Sequence, residues 1–425
     1  MKTLDAPKNL TRNVLIGMGS GVLIASIFYY FQTTIPSDFF QIIEKYVFNL
    51  GGQVFKNLLL LIVVPLVFFS LVSGISSLSN MVKLGSIATK TVGLYLLTTG
   101  IAVSLALFFG WIFNLSGYEG EVDAYVPTQG SADLYETVLR IFPNNIFGAF
   151  VENNMLGIVF ISILFGIALN LTDDLTGGLS KNFERLNIVF LKIVLLIMSF
   201  APVGVFCLIG SYVMAKGLNV FGDLAQYVLV LVFVLVFHLT FTYSLILKVF
   251  ANLNPFKFFK KMRNVALFAF STSSSAATIP VTLKTVSDDL GVKKDVASFV
   301  VPVGATINMD GTAIMQGLAT MFIASTVGVD LSLTQYGQIV LLAMVTSIGT
   351  AAVPSAGTVT LALILGSVGL PLDAIGLILA VDRILDMIRT SVNVCGDAAV
   401  SCIVAKSENE LDENMSVSYT HLRAH

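Results

Sequence analysis

Residues 381–397 read VDRILDMIRTSVNVCGD inside an otherwise apolar segment. Asp382, Asp386, Arg389, Asn393 and Asp397 follow one another at steps of four, three, four and four residues, so on an α-helix they form one polar stripe. An ionised side chain at bilayer depth is costly, so such a stripe turns toward a protein interior or a wet cavity and marks the path of a solute or ion. The alternative is a helix outside the membrane with a solvated face. The apolar runs on either side argue against it.

Of 425 residues, 56% are hydrophobic and 12% charged, with a mean hydropathy of +0.87. Soluble domains carry charge on about a quarter of their residues, so the lipid bilayer is the expected solvent and the chain reads as polytopic. A net charge of −2 gives no general attraction to nucleic acid, and no nucleic-acid partner is expected. Cys207, Cys395 and Cys402 sit in apolar helical contexts and do not suggest a disulfide framework. Only His238 lies outside the last few residues, so His-based metal sites and Ser-His-Asp catalysis lack their raw material.

Residues 13–31 are long enough to cross a bilayer, and no small-residue cleavage site follows, which reads as a retained helix. Lys2, Lys8 and Arg12 favour a cytoplasmic N-terminus. A second crossing is expected over 55–75, kinked at Pro65, with Lys83 and Lys90 after it on the cytoplasmic side; a third covers 91–115. Residues 116–136 carry Glu119, Glu121, Asp123, Asp133 and Glu136 without a Lys or Arg, which fits an external loop. Apolar runs follow at 155–171, 188–214 and 225–250, and the link holding Lys248, Lys257, Lys260, Lys261 and Arg263 is the strongest cytoplasmic mark. His238, within LVFHLTF, reads as a hydrogen-bonded interior residue more readily than as a proton carrier.

After Arg263 the pattern changes. Residues 264–286 consist of two short apolar arms joined by a tip of Ser, Thr and Ala, with Pro280 beyond it, and residues 335–365 repeat the design around TSIGTAAVPSAGT. Such segments read as re-entrant hairpins, because irregular backbone at membrane depth is tolerated only when buried in protein or lining a wet cavity. Ordinary kinked helices are the alternative. A polar-centred segment follows each, TINMDGT at 306–312 and SVNVCGD at 391–397. Paired interrupted segments are the sequence sign of transporters built from repeats, and the charge marks make these repeats inverted. The tail from Glu408, ending SVSYTHLRAH, lacks a periodic face and is expected to be disordered, its last part outside the fold.

Arg389 offers a fixed fork of donors suited to a carboxylate, and Asp386, one turn earlier, suits an ammonium. A ligand carrying both groups, an acidic amino acid, would satisfy the pair; an internal ion pair between them would also do so. Asp310 and Asp397 have no cation nearby in sequence. Sodium is the economical partner, since hard cations take carboxylate and carbonyl oxygens, and Gly304, Gly311, Gly349 and Gly396 would let the backbone unwind and aim carbonyls at it. Protonated, hydrogen-bonded carboxyls are the competing possibility.

The motifs SSSAATIPVT, NMDGT, SIGTAAVPSAG and DMIRTSVNVCGD, in that order, resemble the dicarboxylate/amino acid:cation symporter family of excitatory amino acid transporters and archaeal aspartate transporters. The likeness is dense from about 264 to 407 and looser back to the first helix. It implies an all-α polytopic fold with eight transmembrane helices plus two re-entrant helical hairpins as inverted repeats. Its scaffold and transport (elevator) parts would form a homotrimer in the plasma or inner membrane, with both termini cytoplasmic.

By that resemblance, residues 13–82 form scaffold helices 1–2, 83–115 transport helix 3, 116–218 the external loop and scaffold helices 4–5, 219–407 the rest of the transport part, and 408–425 the tail. Arg389, with Thr312 beside it, would hold the substrate side-chain carboxylate. Asp386 and Thr390 would serve its amino group, and Asn393 with Ser274 and Ser275 its main-chain carboxylate; Val353 and Gly357 would lie on the gating hairpin. Sodium would be held by Gly304, Asn308, Asn393 and Asp397; by Thr306, Ser347, Ile348 and Thr350; and by Tyr95, Thr98, Thr99, Asn308 and Asp310. No organic cofactor is implied. Ser273 and Met387 stand where the archaeal and animal types respectively carry an arginine, and Arg383 is present instead. Gln316 replaces a glutamate that the animal type associates with proton and potassium coupling, so sodium-coupled transport without potassium countertransport is expected.

Other activities compete. A C4-dicarboxylate would leave Asp386 without an ammonium, and a neutral amino acid would leave Arg389 unmatched. An intramembrane hydrolase would need a Ser of SSS with Lys284 as base, separated from it by Pro280. A channel fits poorly with one stripe carrying both signs.

Overall fold

The computed structural model describes residues 10–77, 85–115, 139, 141–152, 154–349 and 356–412, and the regular elements among them are helical. Helices α1 (Leu10–Tyr30), α2 (Leu50–Ser77) and α3 (Ser86–Ile112) carry the first three apolar runs, and α2 continues through Pro65. The acidic stretch 116–136 lies outside the described residues, as do Lys2, Lys8 and Lys83. Helix α4 (Met155–Thr172) follows. The run expected as one at 188–214 is two helices, α5 (Leu179–Met198) and α6 (Ala201–Lys216), bent by 55°. The reason is Pro202, which sits in the first turn of α6, where its missing N–H does no harm and its fixed φ starts a new helix.

Helix α7 (Val220–Phe237) runs through one π-helical turn, His238–Thr242, into α8 (Tyr243–Ala251). Side chains five apart on a regular α-helix diverge by about 140°. A π turn closes that angle, and so His238 and Tyr243 face the same way.

Helix α9 (Pro255–Thr272) begins at Asn254, whose side chain accepts from the N–H groups of Phe256 and Lys257, and ends at Ser273 in the left-handed region with φ +50°. Ser274 then caps α10 (Ser275–Lys284) by accepting from the Ala277 N–H. The serine run thus reverses the chain and starts the return arm, and α9 packs against α10. Helices α13 (Leu333–Gly349) and α14 (Ala356–Ser367) make the corresponding pair, with tip residues 350–355 outside the described residues.

Between the pairs lie α11 (Lys294–Ile307) and α12 (Asp310–Thr326), and α15 (Ile375–Ser407) closes the chain. The two polar-centred segments differ. Backbone opens at Asn308, which is extended with φ −90° and ψ 91°, whereas α15 is unbroken through Gly396. The expected unwinding at Gly304, Gly311 and Gly396 is therefore corrected: all three are helical, and Gly396 makes room for a close neighbour.

Among the described residues, Arg12–Tyr30, Ser37–Ser76, Ser86–Ile112, Leu224–Ala251 and Val381–Ser407 are long and apolar enough to cross a membrane, and the bent α5/α6 pair makes a sixth if counted as one span. Helix α1 packs along α6, and α2 packs against α4, α5 and α6. Helix α15 is surrounded by α7, α8, α9, α11 and α12, and the first group meets the second where α2 touches α13 and α14 and α6 touches α15. The apolar window of α15 is 83% buried and that of α1 only 17%, which puts the polar stripe at the centre and α1 at the rim.

At one end the chain is tied to itself. Leu411 bridges to Val292, Lys293 pairs with Glu410, and Glu408 accepts from Ser86 and Lys90 at 2.6 Å each. Lys90 and Ser86 hold the Glu408 carboxyl below the usual carboxylate range. The tail expected to be disordered from Glu408 is thus fixed over 408–412, because its acids meet lysines from two other segments; 413–425 lie outside the described residues.

Candidate functional site

The stripe residues of α15 are buried, Asp382 at 2% exposure, Asp386 at 7%, Arg389 at 1%, Asn393 at 3% and Asp397 at 1%. Arg389 donates through Nη2 to Asp382 Oδ1 at 2.7 Å and to Asp386 Oδ1 at 2.9 Å. The internal ion pair weighed from the sequence is therefore present and includes a second acid. It uses one nitrogen of the guanidinium; Nε and Nη1 are buried without a hydrogen-bond partner. The N–H groups of Nε and Nη1 remain available to donate to a carboxylate.

Thr390 sends its hydroxyl to the Asp386 carbonyl at 2.7 Å. Asn393 Oδ1 accepts from the Gly311 N–H at 2.8 Å, so α15 holds the opened backbone between α11 and α12 in place. Thr312 lies against Gly357 of α14, where a Cβ would collide with its methyl group, and Gln316 binds the Gly357 carbonyl and the Thr360 hydroxyl at 3.3 and 2.8 Å. Ser275 is buried at the α9/α10 tip and Ser274 is engaged as the cap of α10. Val353 lies outside the described residues.

The expected cation ligands fall in three sets. Asn308 Nδ2 donates to Asp397 Oδ1 at 2.9 Å and to the Asn393 carbonyl at 3.3 Å, while its Oδ1 is buried without a partner. Gly304 stands so close that a Cβ would strike Asp397 Oδ1 and the Tyr95 hydroxyl. An orphaned amide oxygen, a carboxylate and a nearby carbonyl, all buried, fit a small hard cation such as sodium.

In the second, Tyr95, Thr98, Thr99 and Asp310 are all buried, and Thr99 donates to Asp310 Oδ1 at 2.7 Å. The Tyr95 hydroxyl is turned to the Val300 carbonyl at 3.0 Å and that of Thr98 to the Tyr95 carbonyl at 3.1 Å. In the third, α11 touches α13, yet Thr306 is exposed with its hydroxyl on the Val303 carbonyl, and Ser347 is buried with its own on the Met344 carbonyl. The Ile348 carbonyl lies against Gly74 of α2, and Thr350 is outside the described residues. Among the described residues no three His, Cys, Asp or Glu side chains gather as a transition-metal site would need.

Sequence reasoning missed what surrounds Asp310. Besides Thr99, its Oδ2 takes the Tyr243 hydroxyl at 2.9 Å and meets His238 Nε2 at 3.1 Å. His238 is thus the hydrogen-bonded interior residue expected. Tyr243 carried no signal, since a tyrosine in an apolar run reads as core. The role of Asp382 was also missed, although the stripe contained it.

The sequence profile described as the sodium:dicarboxylate symporter family matches residues 10–407. The chain belongs to that family. A proton/sodium-glutamate symport protein of Geobacillus stearothermophilus is 32% identical over 420 residues, 96% of this chain and 97% of its own length. A proton/glutamate-aspartate symporter of Escherichia coli (strain K12) is 32% identical over 426 residues, 97% of this chain and 95% of its own. Human excitatory amino acid transporter 2 is 42% identical over 262 residues, 61% of this chain and 46% of its own. Family membership and the apolar helices make this symporter homologue a multi-pass membrane protein, and family membership sets aside the hydrolase alternative. Ser274 is in any case committed to a cap, and Lys284 ends α10 at the far side from the tip.

Proposed function

We propose that this symporter carries an acidic amino acid, L-aspartate or L-glutamate, into the cell together with sodium. The observation that carries the proposal is Arg389, buried, balanced by two acids at Nη2 and left with unused donors at Nε and Nη1. The glutamate and aspartate named for two of the relatives support the same substrate class. Arg389 with Thr312 reads the side-chain carboxylate, Asp386 and Thr390 the ammonium, and Asn393 with the Ser274–Ser275 tip the main-chain carboxylate. Val353 and Gly357 belong to the gate.

Sodium is held at Asp397, Asn308, Asn393 and Gly304, at Asp310 with Tyr95, Thr98 and Thr99, and where Thr306, Ser347, Ile348 and Thr350 meet. A homotrimer in the inner membrane fits this scheme. In each protomer α3 and α7–α15 slide as an elevator against a scaffold of α1, α2 and α4–α6. In proteoliposomes, an inward sodium gradient should drive accumulation of labelled aspartate or glutamate, with malate and serine competing poorly.

A second possibility is proton coupling, favoured by the word "proton" in the names of both bacterial relatives. Accumulation driven equally well by a proton gradient without sodium would decide for it and against sodium.

A further inference from the structure

A second guanidinium stands beside the polar stripe. Arg383, one residue after Asp382 on α15, is 9% exposed, and its Nη1 lies 3.7 Å from Asp386 Oδ2. Asp386 turns its other oxygen to Arg389 Nη2 at 2.9 Å, and Asp382 Oδ1 meets the same nitrogen at 2.7 Å. Two guanidiniums and two carboxylates thus form one connected row of charge, in the order Arg383, Asp386, Arg389, Asp382. A separation of 3.7 Å is too long for a hydrogen bond, so Arg383 acts on Asp386 through these atoms by charge.

Asp382 and Arg383 line a gap of about 10 Å³ whose other walls include Val14 of α1, Phe55 of α2, Met198 of α5 and Val205 of α6, all apolar and buried. That volume is no more than one water needs. Charge placed here is screened little, so the sum over the four groups acts on whatever binds among them. Two positive and two negative groups sum to zero, and without Arg383 the sum is −1. The acids elsewhere in the buried region, Asp310 and Asp397, belong to the proposed sodium sites and are matched there by the transported cation.

We propose that Arg383 is a specificity-determining residue that keeps the substrate site electrically neutral, so that an acidic amino acid is accepted without repulsion. The inference rests on the acidic amino acid assignment above and deepens it: Arg389 supplies the fork that grips one carboxylate, and Arg383 supplies the charge that offsets the site's second acid. An acidic amino acid has two carboxylates and one ammonium and so a net negative charge, whereas its side-chain amide analogue has none. A negative site repels the first and is nearly indifferent to the second. A unit charge within about 10 Å, at an effective dielectric constant of about 20, alters binding about tenfold or more. Preference for the acid over its amide therefore depends on a residue outside the polar stripe.

The test compares the full-length wild type with Arg383→Gln, which removes the charge, and Arg383→Lys, which keeps it. The probes are L-aspartate and L-asparagine, which differ in one carboxylate. Aspartate Kd is taken from melting temperatures across a titration in sodium chloride, and asparagine Kd from competition against aspartate. The quantity read is the ratio of asparagine Kd to aspartate Kd. Arg383→Gln should lower that ratio about tenfold, through a rise in aspartate Kd, with asparagine Kd held within about threefold. Arg383→Lys should keep the ratio within about threefold of wild type. A residue needed merely for structure would weaken both ligands together, so an unchanged ratio in Arg383→Gln overturns the proposal. An equal fall in Arg383→Lys also overturns it, and that arm decides even if Arg383→Gln does not fold. Failure of the acidic amino acid assignment would show in the wild type alone, as absence of any sodium-dependent response to aspartate, and is thereby distinct from a wild type that responds while its variants keep the ratio.

Discussion

Gly396→Ala sets helix propensity against packing. On propensity alone, replacing a glycine inside the long helix α15 should stabilise the protein by about 1 kcal/mol. But a Cβ at Gly396 would stand 2.6 Å from Asn308 Nδ2 and nearer still to the Tyr243 hydroxyl. Both atoms are in use, Asn308 Nδ2 on Asp397 Oδ1 at 2.9 Å and the Tyr243 hydroxyl on Asp310 Oδ2 at 2.9 Å. Overpacking a close-packed interior costs about 1–3 kcal/mol, and losing one hydrogen bond to a charged group costs about 1.5–3 kcal/mol. Set against the gain, the change should destabilise by about 1.5–5 kcal/mol. Since the displaced atoms surround the proposed sodium ligands, the sodium concentration for half-maximal aspartate uptake should rise about tenfold or more, a tenfold change being about 1.4 kcal/mol. The assay is that sodium dependence in proteoliposomes, paired with a melting curve in sodium-free buffer. An unchanged sodium requirement with a raised melting temperature would refute the reasoning, because propensity would then have won and the close approach would constrain nothing.

Arg389→Cys should weaken acidic substrates by about a hundredfold or more, since it removes the carboxylate's partner and leaves Asp382 without its donor, while neutral amino acids are spared or improved; equal loss for both classes in a competition assay would contradict its role. The Glu408 contact has a pH signature of definite sign. Its lowered pKa contributes stability that is fully present above the ordinary value of 4.5 and is lost as pH falls through the lower folded value. Hydrogen-exchange protection at 407–412 should therefore be level from neutral pH to about 5, weaken only below it, and lose that dependence in Glu408→Gln; protection already fading at about pH 6 would count against it.

Much of this was legible in the sequence because it is periodic or local. The stripe at 382–397 is a repeat of three and four residues on one helix, and α15 buries it. The serine run at 273–275 carries its own chemistry, one residue turning the chain and the next capping a helix, so the reversal between α9 and α10 follows from those residues alone. What escaped is non-local. Whether a polar-centred segment opens depends on what lies across from it: Asn308 unwinds to reach Asp397, and Gly396 stays helical to admit Asn308 and Tyr243. The π turn at 238–242 leaves no hydropathy trace, yet without it His238 and Tyr243 could not share Asp310. The break between α5 and α6 was within reach, because Pro202 in a long apolar run marks a first turn as readily as a kink.

The strap formed by Glu408, Glu410 and Leu411 fastens residues 408–412 to the start of α3 and to the link before α11, and none of these contacts involves α1 or α2. A fluorophore or spin label attached at Asp412 would inherit the orientation of the helices the strap is fastened to. Paired with a label on α1, it would act as a ruler for any displacement of the binding residues relative to the rim, without a single change inside the site.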